Sequence, residues 1–470
     1  MTERATFTMP RLSYTVACAA ALFGMFLTRW LTNRFVFALY DTGGPWLRDL
    51  AVLASVMALA GVALIALWKP HWLSGNRVAT ISGAALVAGS ALVALAVQSH
   101  ALGAPLWIGA IAADIGSGLV CLCACIACIK LPECRLAPCV ALAYLASYLA
   151  RPLFAGISPL MGFGFFGAAA LATLCVALIP AVSQLGSPSP DTPAPAQSAV
   201  TRPATYVPLR HPLFVLLLVF EVVYGYATTT AAPSPAIAVT PLVIALLGLV
   251  CAGSFWPRAM QNPDWLFIAS VLTVLAGILG LPLAAVAGEA SLQAGSGLFQ
   301  ILAFFLLIDL GHRNEANGLA VIAWGSAVMS FGVIAGANAA KLTGPLDIGT
   351  ATCAPHTAVA AFVLAAAALM LQRTFSIRAT LEGIEDASVE VVPPPSDATV
   401  EDHCREIGER FGLTAREQEV FALLARGRNS PFIQEALGIS YNTARTHVRH
   451  IYEKCGFHTQ QELIDAVDRA

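Results

Sequence analysis

Four side chains near the C-terminus have the types and spacing to grip an acidic polymer. Asn442, Arg445, Thr446 and Arg449 fall at i, i+3, i+4 and i+7 within SYNTARTHVRHIYEK, so they share one face of a helix. Thr443 and Lys454 join them as candidate contacts. Guanidinium and ammonium groups neutralise phosphates and release counterions, while amides and hydroxyls reach base edges. The opposite side of the same stretch carries Ala444, Val448, Ile451 and Cys455 at helical spacing, which predicts a face turned to a core. The expected partner is DNA.

A second set of reactive groups sits in apolar sequence, where charge is costly and usually functional. Asp114, Arg151, Glu221 and Asp309 stand out. Asp114 and Arg151 have two readings, an ion pair across neighbouring helices or a ligand site. Glu221 is followed by Tyr224, with Gly225 loosening the helix before Tyr226, so Glu221 and Tyr224 are the first candidates for binding a small molecule or a proton. Asp309, beside Gly311, His312 and Arg313, is expected as an interfacial cap. In CLCACIAC, Cys121, Cys125 and Cys128 share a helical face. A zinc site wants four ligands, so a fourth must come from another segment; thiols packed between helices are the plainer reading. The sequence shows no Gly-rich nucleotide loop and no nucleophile constellation. No catalytic residues, no cofactor, no metal and no enzyme activity are expected.

The elements that must position these groups follow from composition. The 470 residues are 57% hydrophobic and only 11% charged, against roughly 25% charged in soluble domains. A lipid bilayer is the expected surrounding. About 20 apolar residues span its core as a helix, and twelve such runs are legible. They lie near 12–30, 47–68, 78–98, 106–129, 138–157 and 161–180, then 212–232, 236–256, 265–287, 291–310, 317–338 and 354–372. The first run is longer than a signal-peptide core and is expected to stay as a helix. The cysteines lie mostly in apolar runs and outline no disulfide framework. A Pro- and Ser-rich segment divides the two sets of six.

The expected organisation is all-α. Residues 1–182 form a first six-helix half, 183–211 a central linker, 212–378 a second half, 379–404 an acidic linker with three consecutive prolines, and 405–470 a small helical domain. The 6+6 layout with a central linker resembles the major facilitator superfamily. Lysine and arginine gather in the segments that share a side with both ends; opposite them stand only Arg29, Arg34, Arg48 and Lys341. The positive-inside rule then predicts both termini in the cytoplasm of a bacterial cell membrane.

In the tail, Thr414 with Glu417 three residues on is a capping box that opens a helix closed by Gly427. A short helix near 430–437, a turn at Gly438 and the quoted helix make a helix-turn-helix. From Leu413 to Asp465 the tail resembles the LuxR-type (GerE) domain of bacterial regulators. The matching residues are Leu413-Thr414, Arg416-Glu417, Glu419-Val420, Gly427, Ile433, Leu437, Ile439-Ser440, Thr443, His447, Ile451, Lys454 and Gly456. The resemblance implies four helices, the third entering the major groove through Arg445, Thr446 and Arg449 and the fourth, about 460–469, pairing two copies on paired half-sites. Ala444, Cys455 and Ser430-Pro431 depart from the family's usual Val, Leu and Lys-Glu, which implies a less stable domain with one weaker backbone contact. From His403 onward nine Arg and Lys face nine Asp and Glu, so positive charge is local to the third helix and dimers are expected for tight binding.

The two parts together resemble membrane-bound LuxR-type regulators, in which a polytopic region replaces a soluble sensor. The expected function is a one-component transcriptional regulator that senses a small molecule or the membrane state. A secondary transporter with a regulatory tail is the alternative. The loop KPHWLSGNR, lacking the acidic residue and basic repeat of facilitator transporters, argues against active transport. A tail that binds protein rather than DNA is a third option.

Overall fold

The computed structural model describes residues 11–184 and 209–343, apart from residues 45, 69–71, 74, 101–102, 132, 210, 231–235, 255–263, 282 and 314. It also describes residues 359, 363 and 397–468, apart from residues 426–432, 434–436, 439–440 and 458–459. All regular elements among them are helical. Two compact units separate, one holding the apolar helices and the other formed from Asp386 onward.

The first unit begins with α1 (Arg11–Leu31), α2 (Leu47–Trp68), α3 (Gly75–Gln98), α4 (Ala104–Ala127), α5 (Glu133–Ala150) and α6 (Pro159–Gln184). It continues with α7 (Pro212–Thr230), α8 (Ala236–Ser254), α9 (Asp264–Gly280), α10 (Ala285–Arg313) and α11 (Glu315–Thr343). Nine of the described helical segments are long and apolar enough to cross a membrane, and two shorter apolar helices lie at 239–249 and 264–280. These eleven helices fall on the first eleven expected runs. The twelfth expected run, 354–372, lies outside the described residues save Val359 and Val363, so eleven is the number described.

Within the first half α3 packs on α4, and α1 packs on α5 and α6. Within the second α7 packs on α11 and α9 on α10. The halves meet where α2 crosses α11 and where α5 meets α8 and α10. Bundles in lipid gain little from the hydrophobic effect, so they rely on close packing of small residues. A Cβ on Gly109 would lie 2.9 Å from the backbone nitrogen of Val93, and one on Gly277 would lie 2.7 Å from that of Leu292. Only glycine allows α4 to approach α3, and α9 to approach α10, this closely.

Two boundaries differ from expectation. The first helix does not end at Trp30: a π-turn (Thr32–Val36) and a further turn (Phe37–Tyr40) carry it on, giving a span of 30 residues from Tyr14 to Gly43. The charges in TRWLTNR suggested an end, but FVFALY behind them is apolar and supports another turn and a half. The fifth helix stops at Ala150, and Arg151–Phe154 form a tight 3-10 turn with Pro152 inside it. Proline supplies no N–H to continue the helix.

The second unit comprises α12 (Asp397–Arg410), α13 (Ala415–Ala425), α14 (Tyr441–Cys455) and α15 (Gln460–Asp468). The expected acidic linker 379–404 therefore gives up its last eight residues to α12, because Cys404 and Ile407 bury against the domain core. Helix α12 is closed off by Gly412, two residues past its end, whose positive φ of 65° lets Leu413 N–H reach the Gly408 carbonyl at 2.8 Å. Of the expected short helix 430–437 only Ile433 and Leu437 are described; both are helical, and Ile433 is fully buried. Gly427, expected to close α13, lies outside the described residues.

Candidate functional site

A polar cavity of the membrane unit lies between its halves. Its volume is about 420 Å³, and it is lined by Arg151 from the turn after α5, Glu221 and Tyr224 from α7, Arg29 and Trp30 from α1, and Gln300 from α10. Three of the four expected sensing residues thus converge. Glu221 is fully buried; its Oε1 accepts a hydrogen bond from Gln300 Nε2 at 2.8 Å, while its Oε2 is buried with no hydrogen-bond partner. A Cβ on Gly332 would lie 2.8 Å from the Cβ of Glu221, so a glycine of α11 fixes how deeply this carboxylate sits. The Arg151 guanidinium lies 3.4 Å over the Tyr148 ring and 5.5 Å from that of Trp30. Cation–π contact of this kind holds a desolvated guanidinium without an acid. The wall near α10 is a hydrogen-bonded chain: Tyr148 donates to Gln293, and Gln293 Nε2 donates to Glu289 at 3.0 Å.

A second cavity, about 310 Å³, adjoins the first and shares Arg29, Asn33, Thr228 and Val333 with it. Asp114 lines this one. Asp114 and Arg151 therefore face different cavities and form no ion pair with each other, so the expected pairing is replaced by two separate polar walls. At its margin Lys341 Nζ meets Asp49 Oδ2 at 2.8 Å, tying α11 to α2 across the halves. Toward the other end of the bundle, His312 on α10 hydrogen-bonds the Ile129 carbonyl after α4 at 2.6 Å.

Arg29 stands at the end of the expected run 12–30 and counts with Arg34 among the outer charges. The longer first helix puts it near mid-span, where it lines both cavities with its guanidinium 5.4 Å from the Phe304 ring. The signal was the unbroken apolar run after Arg34. Asp309, in the last turns of α10, is buried and pairs with Arg313 at 2.8 Å one turn on. Cys125 and Cys128 pack against α1, the first with its sulfur 3.5 Å from Met25 Sδ, the second bonded to the Ala124 carbonyl, while Cys121 turns to the smaller cavity. Among the described residues no group of three metal-ligating side chains converges.

In the second unit Thr414 and Glu417 form the expected capping box. Glu417 Oε2 accepts from Thr414 N–H at 2.8 Å, and Thr414 Oγ1 accepts from Glu417 N–H at 3.3 Å. The same carboxylate oxygen receives Lys454 Nζ at 2.6 Å, and that ammonium also donates to the Gly412 carbonyl at 3.4 Å. Burial pushes the Glu417 carboxyl up, but the Lys454 and Thr414 hydrogen bonds outweigh it and hold it down at about 2. Arg416 Nη2 ties α13 to the Leu437 carbonyl at 2.7 Å, bracing the turn before α14. Ile451 is fully buried and Cys455 nearly so, with Val448 against them, as the helical spacing of α14 predicts. On the other side Thr443, Thr446 and Arg449 are exposed.

Residues 411–467 match the family described as bacterial regulatory proteins, luxR family. They form a LuxR-type helix-turn-helix domain. The membrane unit is similar to the crystal structure of the human organic anion transporter MFSD10 (TETRAN), at TM-score 0.53 and 11% identity over 77% of this chain and 100% of that one. It is also similar to a bacterial homologue of the iron transporter ferroportin in outward-facing state, at TM-score 0.52 and 12% identity over 79% of this chain and 98% of that one. At such identities the likeness is one of fold: the membrane unit shares the fold of these transporters, and the chain is a multi-pass membrane protein. No curated protein matches the chain.

The LuxR-type domain puts its candidate contacts on α14. Thr443, Thr446 and Arg449 lie on its exposed side, with Arg449 3.7 Å from Glu453 one turn on. Asn442 and Arg445 belong to the same helix, in its first two turns. Lys454, also expected at the DNA, is part-exposed and pairs with Glu417 at 2.6 Å.

Proposed function

We propose that this chain is a membrane-embedded, one-component transcriptional regulator. The observation that carries the reading is the union, in one chain, of a LuxR-type domain with a membrane unit whose central cavity holds buried, incompletely bonded ionisable groups. The membrane unit serves as the sensor. A small molecule that binds one of its states better than another shifts the balance between them. That shift changes the presentation or pairing of the tail.

Arg445 and Arg449 carry the phosphate and base contacts, with Asn442, Thr443 and Thr446 beside them. Lys454 braces the domain. Two copies pair through α15 on paired half-sites, and the membrane tether raises their local concentration. The central linker and both ends face the cytoplasm of a bacterial cell.

The test is genome-wide crosslinking and recovery of DNA with the tagged full-length protein, beside an Arg445→Ala/Arg449→Ala variant. The reading expects a few discrete sites, lost in the variant. The fold favours a second reading, a transporter with an appended tail. Uptake of a solute that survives removal of the tail, with no discrete DNA sites, would establish that one.

A further inference from the structure

Two ionisable side chains in the larger cavity hold a polar atom that is buried with no hydrogen-bond partner: Arg151 at Nε and Glu221 at Oε2. One is a donor and the other an acceptor. An unmade hydrogen bond on a buried charged group costs more than a made one returns, so the cavity is built for something that supplies both. The Arg151 guanidinium lies over the Tyr148 ring at 3.4 Å, with the Trp30 ring at 5.5 Å. Its unpartnered Nε–H belongs to the edge of the guanidinium, the fork of N–H groups that matches a carboxylate. Arg29 adds a second positive group to the same cavity and Glu289, hydrogen-bonded to Gln293, a second carboxylate, yet among the described residues neither arginine has a carboxylate within 4 Å. Gln300 holds Glu221 Oε1, which leaves Oε2 to accept from an O–H or N–H. Phe26, Tyr144 and Tyr224 supply flat apolar walls around them.

Resting on the reading of this cavity as the sensing site, we infer that it takes an aromatic carboxylic acid that carries a hydrogen-bond donor, hydroxyl or ammonium, at the far end of its ring. A small inorganic anion leaves Glu221 unmatched. A simple amine leaves Arg151 and Arg29 unmatched. A fatty acid supplies no donor and no ring. A volume of about 420 Å³ lies in the range of small-molecule sites and suits a single substituted ring.

The test uses purified full-length protein in lipid nanodiscs, with binding read by Trp fluorescence and calorimetry. The probes are para-hydroxyphenylacetate, para-aminomethylphenylacetate, phenylacetate and tyrosol. At least one donor-bearing acid is expected to bind about tenfold or more tighter than phenylacetate, which lacks the donor, and than tyrosol, which lacks the acid. Glu221→Gln should weaken that acid about tenfold while leaving phenylacetate within twofold. Arg151→Ala should weaken both acids about tenfold while leaving tyrosol within twofold. Each variant thus carries its own folding control, the probe it should leave alone. Binding of neither donor-bearing acid, or an equal loss for every probe in Glu221→Gln, overturns the proposal. If the probes fail while discrete DNA sites are still lost in Arg445→Ala/Arg449→Ala, the ligand class falls and the regulator stands. If the probes behave as stated and no DNA sites exist, the cavity chemistry stands and the regulator falls.

Discussion

Lys454, on the last turn of α14, reaches back 37 positions to place its ammonium 2.6 Å from the carboxylate of Glu417 on α13. That carboxylate also caps its own helix through Thr414. One acid therefore fixes the start of α13 and the angle of the recognition helix against it. Lys454 thereby belongs to the frame of the domain as well as to the candidate contacts of α14.

Glu417→Gln should loosen the LuxR-type domain in a pH-dependent way. The carboxyl sits at about 2 in the folded protein against 4.5 without its partners. A lowered folded value gives stability that is complete above 4.5 and is lost as pH falls from there toward 2. The full shift corresponds to about 3 kcal/mol, which solvent access to the Lys454 end reduces to about 2 kcal/mol. Hydrogen exchange of α13 and α14 in the full chain should rise in the wild type across that window, and should be raised but flat in the variant.

Arg449→Ala should weaken DNA binding about tenfold and flatten the salt dependence by about one counterion. Lys454→Ala should act differently. It should expose α13 and α14 to exchange and leave the salt slope of the folded fraction unchanged. Titrations at several salt concentrations separate the two.

Lys341→Glu should part the halves on one side of the bundle. Asp49 is held by Lys341 at 2.8 Å, and a like charge there repels it. Cys121 lines the same cavity as Asp49. Its modification by a maleimide, followed by mass spectrometry, should quicken several-fold in Lys341→Glu and return toward the wild-type rate in Lys341→Glu/Asp49→Lys.

Much of this was legible in the sequence because the local rules are strong. Thr414 and Glu417 at cap spacing, Gly438 at a turn and Ile451 on the buried side of an amphipathic helix all stand where spacing placed them. The burial of Glu221 in the cavity wall was legible because a lone acid in VLLLVFEVVYGY must find a polar niche within the bundle. Arg29 was not, because an arginine near two more polar residues looks like a helix end, and only the tertiary fold shows α1 continuing through a π-turn. Gln300, Gln293 and Ser296 carry no charge and drew no attention, yet they line the cavity beside Glu221 and Arg151. Lys454 reads as an exposed charge in any helical projection; its partner is 37 residues away and invisible to local spacing.

The account stands or falls on the coupling of cavity to DNA. The direct measurement is occupancy of the recovered DNA sites in cells carrying full-length wild type, Arg29→Ala or Glu221→Gln, at matched membrane levels. Occupancy that changes with the cavity substitutions, at the same sites that Arg445→Ala/Arg449→Ala abolishes, is the predicted result. Occupancy indifferent to both cavity substitutions, with the tail alone deciding it, would contradict the account.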